Sequence, residues 1–84
     1  INTSIQKMVE LTKEEFQVLW QIEEGNVMPE GVESFLDFSL EDIKNVFVFL
    51  HKHGLIHLET SGDYWKAQTT EKAREIYTQY EHWI

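Results

Sequence analysis

The sequence contains no cysteine, a single proline and only seven basic residues among 84. Without cysteine the chain has no disulfide, no thiolate metal site and no cysteine nucleophile, and this composition fits a reducing, cytoplasmic compartment. The four glycines are isolated from one another, so there is no glycine-rich loop of the kind that holds phosphate. No apolar run approaches the roughly 20 residues that a membrane-spanning helix needs. We therefore expect an intracellular domain with no membrane segment.

The charge balance is strongly acidic, with 15 acidic residues against seven basic ones and a net charge of −8. Such a balance opposes nucleic-acid binding, because nucleic-acid-binding domains usually carry an excess of Lys and Arg. The charges are unevenly distributed, however. Residues 39–74 contain five acids and five bases and are neutral, whereas the rest of the chain holds ten acids against two bases. The simplest interpretation of that acidic remainder is a solvated surface; the functional alternative is that it attracts a basic protein partner.

The clearest local pattern lies at residues 38–56. Ser39 is a typical N-cap, and Glu41 and Asp42 follow in the first turn, where the helix dipole favours anions. Gly54 is a typical C-terminal stop before a strand that starts with Ile56. These signals predict a helix over residues 39–53. Its apolar residues recur at helical spacing, at Ile43, Val46, Phe47 and Leu50.

The flanking residues predict two helices before this one and a hairpin after it. Thr12 and Glu15 have the spacing of a capping box, which predicts a helix that runs to about Glu24 and stops at Gly25. Pro29 suits the first turn of a second, short helix. A turn cluster at residues 60–63 lies between two alternating apolar and polar segments, which predicts a β-hairpin over residues 56–68.

Two terminal helices complete the predicted order. A short apolar edge predicts an N-terminal helix over residues 3–9, and a Thr cap at position 69 or 70 predicts a C-terminal helix over residues 70–84. The whole chain, residues 1–84, is predicted to be one domain with its core in residues 11–68. Its fold class is mainly α with a small β-hairpin, which is an α+β architecture.

Four stretches of the sequence carry a resemblance to a known family. They are Leu11–Trp20, Val32–Ser39, Leu50–Ile56 (LHKHGLI) and Thr69–Ile76 (TTEKAREI). In this order and spacing, the chain resembles the MarR/PadR-like winged helix-turn-helix transcription regulators. The resemblance implies a three-helix core, with helix 39–53 as the recognition helix in the major groove of DNA and hairpin 56–68 as a wing on the DNA backbone. Asp37 and Ala73 depart from that pattern, since glycine is common at both positions.

Four residues are the candidate DNA contacts. Lys44 and Asn45 occupy outward positions of the central helix, where Lys donates to guanine or phosphate and Asn pairs with adenine. Lys52 at the helix end and Lys66 on the wing are candidates for phosphate contacts. The alternative is a winged helix that binds proteins through its acidic surface and has no DNA role.

Two aromatic residues lie next to each other on the second predicted strand of the hairpin, Tyr64 and Trp65. Successive side chains on a strand point to opposite faces. We therefore expect one of the two in the core and the other exposed, where it is available to stack on a base.

Both terminal helices are rich in apolar residues. Surfaces of this kind usually mark interfaces, which predicts a homodimer. The alternative is that these residues pack on their own domain. The residues assigned to a dimer or partner interface are Ile5, Met8, Tyr77, Tyr80 and Trp83.

Neither a metal site nor an active site is predicted. His51 and His53 are two residues apart on a helix end and point in different directions, while His57 lies on a strand. Ser61 and Asp63 lie near His57 in sequence, but the hairpin that carries them provides no oxyanion site. We therefore expect no metal, no cofactor and no enzymatic activity.

Overall fold

A computed structural model describes residues 10–83. The elements are α1 (Lys13–Glu23), α2 (Pro29–Glu33), α3 (Leu40–Lys52), β1 (Ile56–Ser61), β2 (Tyr64–Thr69) and α4 (Glu71–Gln79), and a short 3₁₀ turn follows at Glu81–Trp83. The predicted order of three helices, a hairpin and a further helix is confirmed, as is the α+β fold class. The predicted N-terminal helix 3–9 lies outside the described residues.

Side-chain caps fix the starts of the two longest helices. In α1 the capping box is complete: the Glu15 amide donates to Thr12 Oγ1 at 3.2 Å, and the Thr12 amide donates to Glu15 Oε1 at 2.9 Å. In α3 the Asp42 amide donates to Ser39 Oγ at 3.1 Å. Gly54 follows α3 with a φ of +76°, a left-handed conformation that strains any residue with a Cβ. The boundaries of α3 are therefore set by local sequence.

The core forms where α1 and α3 face each other. The apolar stripe of α3 is buried at Ile43, Phe47 and Leu50 and half-buried at Val46. Within residues 10–83 no polar or charged side chain belongs to the buried set, so apolar burial is what holds the core together. The α1 residues of this core are Phe16, Val18, Leu19 and Ile22.

The hairpin closes one side of the helical core. Its strands pair antiparallel from Ile56↔Thr69 to Ser61↔Tyr64. The Ala67 amide donates to the carbonyl of Val27 at 2.8 Å, which ties β2 to the connection between α1 and α2. Ile56 and Ala67 on the inner face are buried, whereas the outer face is largely exposed.

The C-terminal helix α4 ends at Gln79 and is therefore shorter than the predicted range 70–84. Tyr80 and Trp83 stack with ring centroids 4.7 Å apart. The Tyr80 hydroxyl also accepts a hydrogen bond from the Leu11 amide at 3.0 Å. These contacts tighten the chain after Gln79 into a 3₁₀ turn. They join residues far apart in sequence, so the helical periodicity of the segment does not reveal them.

Tyr77 links three elements through one carboxylate oxygen. Its hydroxyl donates to Glu23 Oε1 at 3.0 Å, and Thr69 Oγ1 donates to the same atom at 2.9 Å. Burial and the neighbouring Glu23 carboxylate raise the pKa of Tyr77 well above its usual value. The contact therefore joins α1, β2 and α4 only while the phenol is protonated.

The raised pKa of Tyr77 predicts a loss of stability at alkaline pH. Below a pH of about 10 the phenol is neutral in both the folded and the unfolded chain. Above that pH the unfolded chain loses the proton while the folded chain keeps it, so folding stability falls. We expect Tyr77→Phe to lose less unfolding free energy than wild type between pH 9 and pH 11 in urea titrations. The matched control is Tyr64→Phe, because Tyr64 is 50% exposed; it is expected to follow wild type. Equal losses in all three proteins would contradict the prediction.

Candidate nucleic-acid interface

The side of α3 that faces away from the core forms one exposed ridge. Glu41, Asn45, Val48 and Lys52 are all exposed and recur at spacings of three and four residues, which places them along one face of the helix. Val48 is 49% exposed at the middle of this ridge. The ridge thus presents a carboxylate, an amide, an apolar side chain and an ammonium in that order. An amide and an ammonium are groups that read base edges or hold phosphate.

Lys44 lies beside this ridge, on the side of the wing. Its Nζ is 5.2 Å from the centroid of the Trp65 ring. At that distance the ring face attracts the ammonium, and the contact joins α3 to β2. Trp65 itself is half-buried and packs against the core, whereas its neighbour Tyr64 is exposed. The expectation that one of the two aromatic residues is inward and the other exposed is confirmed, with Trp65 as the inward one.

Lys66 is separated from Lys44 by the hairpin itself. It neighbours Trp65 on β2, so the two side chains point to opposite faces. The residue directly opposite Lys66 in the strand register is Glu59. Opposite residues share a face in an antiparallel pair, so the Glu59 carboxylate offsets the charge of Lys66. The four predicted contacts are therefore divided: Asn45 and Lys52 share the ridge, Lys44 faces the wing, and Lys66 lies on the outer face of the wing.

Hydrogen bonds to backbone carbonyls fix the C-terminal end of α3. Lys72 Nζ donates to the carbonyl of His53 at 3.1 Å, which is a favourable place for a cation beside a helix C-terminus. His51 Nδ1 lies 3.2 Å from the carbonyl oxygen of Ile56 at the start of β1. Sequence reasoning did not assign either contact, because both depend on how α4 and β1 return to the helix end.

The histidines considered for metal binding form no metal-binding group in the described part of the chain, and the residues considered for catalysis are exposed on the hairpin. Within residues 10–83, no group of three or more His, Cys, Asp and Glu side chains is arranged to hold a metal ion. His57 and Ser61 are exposed on β1, and Asp63 is exposed in the hairpin turn. None of the helices in residues 10–83 has the length and apolar character to cross a membrane.

The aromatic residues assigned to a dimer interface pack on their own domain. The ring of Phe16 lies 6.2 Å from that of Tyr77, 5.5 Å from that of Tyr80 and 5.9 Å from that of Trp83. All three remain half-exposed. The other two assigned residues, Ile5 and Met8, lie outside the described residues. These three aromatic rings thus pack against the core, and their exposed parts leave apolar surface at the C-terminal end.

Comparison with known proteins identifies the fold. No protein-family model matches the sequence, and no curated protein matches it. Among solved structures, the zinc-dependent MarR-family transcriptional regulator AdcR in its Zn(II)-bound state matches with a TM-score of 0.71 and 20% identity, over 92% of this chain and 55% of that chain. A protein from Archaeoglobus fulgidus matches with a TM-score of 0.69 and 13% identity, over 86% of this chain and 85% of that chain.

These matches establish the class of fold. The chain has a winged-helix fold like that of the MarR-family regulator, as the resemblance predicted. It spans about half the length of the MarR-family regulator that it matches.

The contact between Lys44 and Trp65 predicts a measurable coupling between α3 and the wing. In a double-mutant cycle with Lys44→Met and Trp65→Leu, we expect a coupling free energy of about 0.5 kcal/mol in urea unfolding, the size of a partly exposed cation–π pair. The matched control cycle combines Trp65→Leu with Lys52→Met, because Lys52 is exposed on the ridge. The coupling free energy between Lys52 and Trp65 is expected to be near zero. Equal coupling in the two cycles would show that the ring does not hold Lys44.

Proposed function

We propose that this chain is a DNA-binding winged-helix protein that acts in transcription regulation. In this proposal α3 enters the major groove and the hairpin lies along the flanking backbone. The observation that supports it best is the ridge of α3, which is exposed over the length of the helix and carries Asn45 and Lys52. In the proposed complex Asn45 contacts a base edge and Lys52 contacts phosphate.

Lys44 supplies the second point of contact in this proposal. Its position beside Trp65 holds the ammonium in the angle between α3 and the wing. A duplex that receives α3 in its major groove passes its backbone through that angle, so Lys44 meets phosphate where helix and wing converge. Lys66 contributes less, because Glu59 lies opposite it across the hairpin.

The acidic residues set a limit on affinity. Glu41 and Asp42 stand in the first turn of α3, at the end of the helix that approaches the bases. Their repulsion of phosphate opposes the few cations on this face, so binding is expected to be weak and strongly weakened by salt. The same two carboxylates support a second candidate function, in which this face binds a basic protein and not DNA.

Fluorescence anisotropy with mixed-sequence duplex DNA tests the first function. At low salt we expect micromolar binding that weakens steeply as salt is added. The double variant Lys44→Ala, Asn45→Ala is expected to lose about tenfold or more in affinity and to lower the salt slope by about one. Lys13→Ala removes the same charge from α1, outside the ridge and the wing; it is expected to bind DNA with nearly wild-type affinity.

Absence of binding at low salt would reject the DNA function and favour the basic protein partner. Unchanged DNA affinity in the double variant would reject α3 as the element that contacts the bases. Circular dichroism of each variant shows whether the fold is kept.

The proposed regulator is a homodimer that uses its C-terminal end. Tyr80 and Trp83 keep exposed ring surface after packing on Phe16, and apolar surface of this kind favours pairing with a second copy. Sedimentation equilibrium is expected to show a dimer at tens of micromolar protein. Trp83→Ala is expected to shift it toward monomer. Phe35→Ala, which removes a ring that is 67% exposed on the α2–α3 connection, should leave the association unchanged. A monomer at all concentrations would reject this part of the proposal.

A further inference from the structure

A groove of about 350 Å³ lies between the start of α1 and the adjoining side of α3. Its volume is in the lower part of the range of small-molecule sites, which is about 300–1,000 Å³. The helix caps already described hold both of its walls, so the groove is formed by fixed backbone. It is lined by Thr12, Glu14, Glu15, Phe38, Asp42, Ile43, Asn45 and Val46.

Apolar and acidic groups are both present in this groove. Phe38 and Val46 provide apolar surface, and three acidic residues line the groove, namely Glu14, Glu15 and Asp42. Glu15 also accepts the capping hydrogen bond of α1. No Lys or Arg is among the lining residues, so only the N-terminal ends of α1 and α3 offset the negative charge of the described groove. Surface of this composition is complementary to a cation that carries an apolar body.

We propose that this groove binds a small organic cation, namely a protonated amine on an aromatic or aliphatic body. The apolar body lies on Phe38 and Val46, and the ammonium group lies toward Glu14 and Asp42. The ring of Phe38 adds attraction for the cation. A bare metal ion fits less well, because the three acidic residues of the groove are not grouped as metal ligands: within residues 10–83 no set of three or more His, Cys, Asp and Glu side chains could hold a metal ion.

Occupation of the groove has a consequence for the ridge of α3. Asn45 lines the groove and also belongs to that ridge. A ligand in the groove therefore contacts the residue that we assign to base reading, and ligand and DNA compete for it. This consequence rests on the proposed DNA function, whereas binding of the cation does not.

An NMR titration of the full 84-residue chain tests the binding itself. Benzylammonium is added to ¹⁵N-labelled protein at low salt, and benzyl alcohol serves as an uncharged probe of similar shape. We expect saturable shifts of the Asp42, Asn45 and Val46 amides with a millimolar Kd for benzylammonium. Benzyl alcohol is expected to bind at least about fivefold more weakly than benzylammonium, because it lacks the charge.

A charge-matched pair of variants locates the site. Glu14→Gln with Asp42→Asn removes two charges from the groove and is expected to raise the Kd about fivefold. Glu24→Gln with Glu33→Gln removes two charges from exposed positions outside it and is expected to leave the Kd within about twofold. Equal effects of the two variants would show a general response to net charge and would overturn the assigned site.

Three further results would overturn the proposal. Equal responses to the amine and the alcohol would remove the role of charge. Shifts confined to the neighbourhood of Trp20 and Trp83, which line another groove of about 170 Å³, would place the ligand elsewhere. Much tighter binding of the peptide acetyl-Lys-Leu-Lys-amide at the same amides would assign the groove to a basic protein segment.

A DNA titration with and without benzylammonium separates the two proposals. Saturable amine binding that leaves DNA affinity unchanged overturns only the competition at Asn45. If DNA binding is absent altogether while the amine still binds the groove, the proposed DNA function fails and the groove proposal stands.

Discussion

The contact on which the other elements depend is the one between the apolar stripe of α3 and α1. Ile43, Phe47 and Leu50 are fully buried in it, and each contributes about 1.5–3 kcal/mol by leaving water. In a small domain, whose total stability is only about 5–10 kcal/mol, this is a large share. The same contact orients α3. Because its apolar side is committed to the core, the ridge from Glu41 to Lys52 must face solvent, and the wing must leave the helix end at Gly54.

The sequence predicts well those features that depend on neighbours a few residues apart. The capping box of Thr12 and Glu15, the Ser39 cap and the Gly54 stop each involve residues within one turn, and each is present. Caps and apolar periodicity together define α1 and α3, and the alternation of residues defines the hairpin. Once the order and spacing of these elements are known, few folds other than a winged helix accommodate them.

Sequence patterns do not reveal contacts between residues that are far apart in the chain. The end of α4 depends on the Tyr80 hydroxyl meeting the Leu11 amide, 69 positions away. The surroundings of the candidate DNA contacts have the same origin: Trp65 reaches Lys44 from the wing, and the hairpin register places Glu59 opposite Lys66. A count of bases in residues 39–74 treats these lysines as equivalent. The fold makes them unequal, since each has a different neighbour.

The different surroundings of these lysines matter more for function than the net charge of −8. Charges separated by more than about 8–10 Å are largely screened at physiological salt, so acids on distant surfaces contribute little at α3. The acids that count are local: Glu41 and Asp42 in the first turn of α3, and Glu14 across the groove. They lie at the same end of the helix as Asn45. In the proposed DNA complex, a ligand that neutralises them changes the field where DNA approaches, so the acidic groove and the ridge of α3 are electrostatically one surface.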